Sequence, residues 1–227
     1  MSEVNTAPIL IPNCSVLVCK ISGEIKDESL QFLIATLKSR VEKHNGNLQL
    51  NESNKYLVYF NEAASSVNCA INIQETLLSY NLNIKSDKQI NLQIGIHYGE
   101  IFISNNILQG EVVDIADDIS TITPIKNIYV SKEVFNRTRI RLLVTMKPLG
   151  LKELTSTKIS KEVYKVDWET IEINLSKSLG RIPNELSHKS KDNSPYEAKK
   201  ETNKFMLFLI LGLIIATLLY MRYQRWI

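Results

Sequence analysis

Seventeen consecutive residues without a charge, Phe205–Met221 (FMLFLILGLIIATLLYM), stand near the end of this 227-residue chain. As a helix they would rise about 25 Å, the short end of what a hydrocarbon core of about 30 Å requires. Lys204 and Arg222 bound the run. Tyr220, Tyr223 and Trp226 suit the headgroup zone, and Lys204, Arg222 and Arg225 can snorkel outward along their aliphatic stems. A buried core helix would keep a polar face, and this run has none. The sequence therefore predicts one transmembrane helix in an anchor at 204–227. Whatever precedes it is expected to work at a membrane surface.

The rest of the length suits one domain and a linker. A net charge of +3 and the lack of a basic stripe with interleaved aromatics argue against nucleic acid as a partner. The first residues, MSEVNTAPILIPN, show no basic stretch followed by an apolar run, so no secretory signal is expected there. Lys199, Lys200 and Lys204 before the span nearly balance Arg222 and Arg225 after it. The three cysteines (Cys14, Cys19, Cys69) have no CxxC spacing and read as buried thiols in a reducing compartment. Together these place the domain on the cytoplasmic side of a single-pass anchor.

Hydrophobic periodicity divides the chain further. Ser15–Ile21 reads as a strand after an N-terminal tail at 1–13. Leu30, Leu33, Ile34, Leu37 and Val41 recur at helical spacing, with Asp27 or Ser29 as cap and Gly46 as the left-handed stop. Leu48–Leu50 and Lys55–Phe60 form a hairpin around Asn51–Asn54. A second helix opens at Asn61. Ile90–His97 and Glu100–Ser104 read as two strands joined through Tyr98-Gly99. Gly110–Thr121 reads as a helix. Ile128–Val130 is a strand, Ser131 a cap for a helix through Phe135, and Leu142–Met146 and Val163–Trp168 are closing strands. The alternation is α+β, with helices around a mainly antiparallel sheet. From 169 to 203 the chain turns polar, with Gly180, Pro183 and Pro195, and reads as a flexible linker.

The stretch LQIGIHYGEIFISNNILQGEVVDIADDIS (Leu92–Ser120) resembles the signature of class III nucleotidyl cyclases. SVLVCKISG (Ser15–Gly23), LNESNKYLVYF (Leu50–Phe60), ASSVNCAINIQ (Ala64–Gln74) and LGLKEL followed by KEVYKV (Leu149–Val166) resemble further family segments in the right order. The resemblance covers residues 14–168. It implies a ferredoxin-like core and a domain that pairs through the face bearing the active site. It also implies two Mg²⁺ ions held by carboxylates of one domain, with base-reading and transition-state groups from the other.

Residue by residue, this chain departs from that pattern. Lys20 stands where the first metal aspartate belongs, and an ammonium cannot ligate Mg²⁺. Asn54 stands at the second metal position. Leu50 replaces the base-reading lysine and Ile107 the base-reading acid. Asp114 replaces the ribose-orienting asparagine. Asp118 replaces the transition-state arginine, a charge reversal where phosphoryl transfer needs a cation. Lys20, Asn54 and Lys152 remain the only candidates for holding a nucleotide. No catalytic residue and no metal site is assigned, and no cofactor is expected; Mg or Mn enters only if the domain is active. Asp114, Asp117 and Asp118 read as an exposed acidic face. Lys20 is placed to dock against Asp114 and Asp118 of a second copy. His97 is structural in the resemblance, and His44 sits at a helix end that favours positive charge.

The sequence thus points to a tail-anchored, catalytically degenerate cyclase homology domain. Its expected work is regulation or protein interaction, as a homodimer or with another protein through the dimer face. The competing functions are an active adenylate or guanylate cyclase with atypical site residues, and a nucleotide-binding sensor without turnover.

Overall fold

The computed structural model describes residues 8–50, 55–105 and 107–169, with the side chain of Leu50 left aside. The chain divides into two units, Met1–Arg181 and Ile182–Ile227, and every described residue lies in the first. The predicted linker beyond Glu169, the anchor, Asn54 and the first seven residues lie outside the described residues. Among those described, no helix is long and apolar enough to cross a membrane.

The elements run β1 (Ile9–Ile21), α1 (Asp27–Lys43), β2 (Asn47–Leu50), β3 (Lys55–Phe60), α2 (Ala63–Asn81) and β4 (Leu92–Ser104). They continue with β5 (Ile107–Gln109), α3 (Glu111–Ile122), β6 (Ile128–Ser131), α4 (Lys132–Thr138), β7 (Met146–Glu153) and β8 (Ser160–Val166). The sheet order is β2-β3-β1-β4-β6-β8-β7, with β5 added beside the end of β4. The first four strands and two helices make the ferredoxin-like core that the sequence predicts. Only the β4–β6 pairing is parallel.

The period-two alternation of the strands sorts the core. Leu17 and Cys19 of β1, Val58 and Phe60 of β3, and Ile94 and Ile96 of β4 face α1 and α2. The intervening residues Val16, Val18 and Leu57 face α3, where they meet Val112, Val113 and Ala116. All three cysteines are buried and free. Burial is the first cause that pushes the thiols up, Cys14 to about 11 and Cys69 to about 12.

Several boundaries differ from those read in the sequence. β1 starts at Ile9 rather than Ser15, because Ile9–Ile11 pair with the end of β4 across a bulge that Asn13 makes at φ 58°. β4 is one strand, not two: Gly99 stays in the ladder opposite Cys14. Its missing Cβ makes room for Val112, whose Cγ2 would otherwise lie 2.5 Å away. At the end of α1 the left-handed residue is Asn45 (φ 55°), not Gly46. Gly46 is required instead by the Phe60 ring, which a Cβ would meet at 2.4 Å. Leu142–Val144 form no strand, and β7 begins at Met146.

Candidate functional site

The strand alternation that buries Val16 and Val18 also carries Lys20 to the α3 face, and that which points Leu57 to α3 does the same for Lys55. In the ladder Lys20 and Lys55 are directly opposite. Like charges in that relation repel. Asp117 of α3 resolves the conflict. Its Oδ1 stands 2.8 Å from Lys20 Nζ and its Oδ2 3.2 Å from Lys55 Nζ, with all three side chains about a quarter exposed. Lys20 Nζ also donates to Thr121 Oγ1 at 2.5 Å. Two ammonium groups around one carboxylate thus fill the end of β1 and the start of β3.

Asp118, next along α3, does something else. It is 3% exposed. Its Oδ2 accepts from Ser156 N (3.0 Å), Thr157 N (3.0 Å) and Thr157 Oγ1 (3.1 Å), and its Oδ1 from Ser156 N (3.1 Å). Burial alone would raise its pKa, but these hydrogen bonds outweigh burial and hold the carboxyl below its usual value. The carboxylate staples the β7–β8 turn to α3. The predicted acidic face therefore holds only for exposed Asp114. The predicted docking of Lys20 on a second copy's Asp118 is also corrected: each is already committed within its own chain.

Beside the triad, the β2–β3 hairpin and the β5–α3 corner enclose an open groove of about 660 Å³. Leu57 and Tyr59 of β3 with Asn47 and Gln49 of β2 form one wall, and Ile103, Ile107, Leu108 and Val113 the other. Gln49 Oε1 accepts from Leu108 N at 3.0 Å, and Lys55 lines the groove as well. Leu50, at the end of β2, belongs to the same hairpin. Lys152 is not brought to this place. It is exposed on β7, the far edge strand, four strand spacings from β1, or about 19 Å.

No family model matches the chain. A Rhizobium meliloti protein named "Putative adenylate cyclase 3" is 28% identical over 95 residues, which is 42% of this chain and 15% of that protein's length. Solved structures match more widely. An adenylate/guanylate cyclase/hydrolase from Silicibacter pomeroyi superposes with a TM-score of 0.62 at 20% identity, covering 71% of this chain and 98% of that one. An adenylyl cyclase from P. aeruginosa gives 0.60 at 14% identity, covering 71% and 96%. The guanylyl cyclase domain of a fusion protein from Blastocladiella emersonii, described as dimeric, gives 0.59 at 16% identity, covering 70% and 98%. The chain carries a cyclase-like domain.

Of the two positions where the sequence resemblance expects metal carboxylates, Lys20 belongs to the Lys20–Asp117–Lys55 triad and Asn54 lies outside the described residues. The residues present do not fit a divalent cation, which wants several oxygen ligands rather than ammonium groups. Among the described residues no cluster of three or more His, Cys, Asp or Glu could hold a metal ion. Sequence reasoning missed Lys55 and Asp117 as partners of Lys20. The alternation of KYLVYF was the available signal, since it puts Lys55 on the face of Leu57 and Tyr59.

A second polar cluster lies under α4. His97 is 4% exposed and its Nδ1 shares a 2.8 Å hydrogen bond with Ser131 Oγ. Ser131 therefore serves His97 and makes no side-chain cap for α4, contrary to the sequence reading. Glu133 Oε2 lies 3.7 Å from the ring, and Glu133 Oε1 accepts from Lys161 at 2.9 Å. Burial lowers the His97 pKa to about 4, against the pull of Glu133. With Ser131 wholly buried, this Ser–His–Glu arrangement is a core network and offers no nucleophile to a substrate. The His44 pKa is also lowered, by burial first and then by Lys43 and Arg40. Its Nε2 stands 2.7 Å from Asn72 Nδ2, so it serves α2 rather than the end of α1.

Proposed function

We propose that this is a catalytically degenerate class III cyclase homology domain. It acts at a membrane as a regulatory or protein-interaction module, paired through the α3 face with a second copy or another protein. The observation that carries the reading is the Lys20–Asp117–Lys55 triad. It supports the reading because Lys20, where the resemblance expects a metal carboxylate, is joined there by a second cation, Lys55. Asp118 adds to it, since a stapled carboxylate cannot supply a transition-state cation. The membrane part rests on the uncharged run Phe205–Met221. An active cyclase and a nucleotide sensor both require polar base-reading groups that Leu50 and Ile107 do not provide.

The test is turnover by the full chain in membranes, given ATP or GTP with Mg²⁺ or Mn²⁺ and read by mass spectrometry. No cyclic nucleotide above a heat-killed control is expected. Product formation that is lost in Asp114→Ala would overturn the reading. Removal of Phe205–Ile227 is expected to move the protein to the soluble fraction with its domain folded.

A further inference from the structure

The groove beside the triad combines an apolar side, a polar side and a surplus positive charge, and we propose that it binds a small anionic amphiphile. The ligand class is a single aliphatic chain ending in one carboxylate-like group, free in solution. Three observations lead there. The volume of about 660 Å³ lies within the range of about 300–1,000 Å³ usual for small-ligand clefts. Leu57, Tyr59, Ile103, Ile107, Leu108 and Val113 give it apolar surface, while Asn47 and Gln49 of β2 make its remaining side polar. A purine edge would find Ile107 where it needs a carboxyl, and its ring nitrogens would be desolvated without partners.

The third observation is charge. Lys20 and Lys55 bring two positive charges and Asp117 one negative, so the triad keeps a net charge of one positive. That surplus matches a monoanion and falls short of a triphosphate. Lys20 Nζ divides itself between Asp117 and Thr121, whereas Lys55 Nζ meets Asp117 Oδ2 alone among the described residues and lines the groove. An ammonium has three donors. Lys55 is therefore the group placed to receive the anionic head while the chain lies along the apolar walls.

The inference rests on the reading that this cleft has left nucleotide chemistry, and its test is separable from that one. Solved relatives consist almost wholly of the matched region, so residues 1–169 suffice for solution work. Octanoate and octanol are titrated into that domain and followed by amide NMR shifts. Octanoate is expected to saturate one site, with shifts at Leu57, Tyr59 and Val113. Lys55→Met should weaken octanoate at least tenfold and leave octanol within twofold. Ile107→Asp, a change at a residue 57% exposed, should weaken both at least tenfold without altering thermal unfolding. Non-saturating shifts, shifts elsewhere, or equal losses for acid and alcohol in Lys55→Met would overturn the proposal. So would a sedimenting dimer that shows no shift, which would make a second copy the occupant. Binding to phosphatidylglycerol vesicles without octanoate binding would assign the anion to a bilayer and overturn it too. If octanoate fails while no cyclic nucleotide forms, only this inference falls. Nucleotide turnover would instead remove the reading beneath it.

Discussion

Under α1 and α2 the sheet presents Leu17, Cys19, Val58, Phe60, Ile94 and Ile96, each at 0% exposure. Under α3 it presents Val16 and Val18 beside Lys20, with Leu57 and Tyr59 beside Lys55 and an open groove alongside. The first face is closed by apolar packing and by neutral buried hydrogen bonds such as that between Ser15 and Ser66. The second is closed by a shorter helix and by three charged side chains that neutralise each other only in part. The lesson is that the scaffold and the site occupy opposite sides of the same strands. Alternate residues of one strand can keep the fold while the others are free to change, which is what the proposed function requires. That difference can be broken by mutation, and the expected effects fall in order.

The largest effect belongs to the packed face. Phe60→Ala should cost about 3–5 kcal/mol in urea unfolding, since it removes a fully buried ring that also braces Gly46. Val113→Ala, on the groove wall at 8% exposure, should cost about 1 kcal/mol. Equal losses would mean that the groove is as tightly packed as the core, and the contrast between the faces would fail.

Next comes Asp118, which closes the α3 face at its far end. Asp118→Ala should cost about 2 kcal/mol, the order expected when charge-assisted hydrogen bonds to a buried carboxylate are lost. Amide exchange at Ser156 and Thr157 should rise sharply, because both lose their acceptor. Unchanged exchange there would show that the turn holds itself and that Asp118 is no staple.

The packed face was legible in the sequence and the site face only partly so, for a physical reason. Leu33, Leu37 and Val41 announce α1 by spacing, and KYLVYF announces β3 by alternation. Such patterns depend on neighbours along the chain. The error at Tyr98-Gly99 shows the limit: a glycine punctuates a turn in sequence, but here it is an approach site for Val112, 13 residues on. The site depends on such distant meetings. Lys20, Lys55 and Asp117 come from β1, β3 and α3, and nothing local in EVVDIADDIS tells that Asp117 turns to two lysines while Asp118 turns to a loop. The positions of Lys20, Leu50 and Ile107 were read from the resemblance, which supplies tertiary neighbours that periodicity cannot.

A pH dependence adds a test at a buried polar cluster on the α3 side of the sheet, where His97 stands opposite Val16. Burial holds the His97 pKa at about 4, below its ordinary 6.5. The unfolded chain therefore binds a proton first as pH falls. The stability given by neutral His97 is complete above about pH 6.5 and is lost progressively down to about pH 4. Between pH 6.5 and 5 the loss should be about 2 kcal/mol. Glu133, whose pKa is lowered, adds loss in the same direction at more acid pH. His97→Gln should flatten the slope between pH 6.5 and 5. A slope that persists in this variant would move the acid sensitivity to another group.

The smallest expected effect tests the triad, the feature on which the proposed function turns. Asp117 attracts two lysines, and the lysines repel each other across the ladder. At an effective dielectric of about 20, each contact near 3–4 Å is worth several kcal/mol before desolvation, and partly exposed pairs retain about 1 kcal/mol or less. Asp117→Asn removes both attractions and keeps the repulsion, so its cost should be about 1–2 kcal/mol at low salt. In 1 M NaCl, with a screening length of about 3 Å, the difference from wild type should shrink by half or more. Adding Lys55→Met to Asp117→Asn should recover part of the loss, because the facing charge is gone. The measurement is urea unfolding of the four proteins, wild type, both single variants and the double variant, at 50 mM and 1 M NaCl. A loss that ignores salt, or a double variant no better than Asp117→Asn, would mean that the three side chains act as solvated neighbours. In that case the α3 face, like the opposite one, would be held without a contribution from charge, and the triad would no longer carry the proposed function.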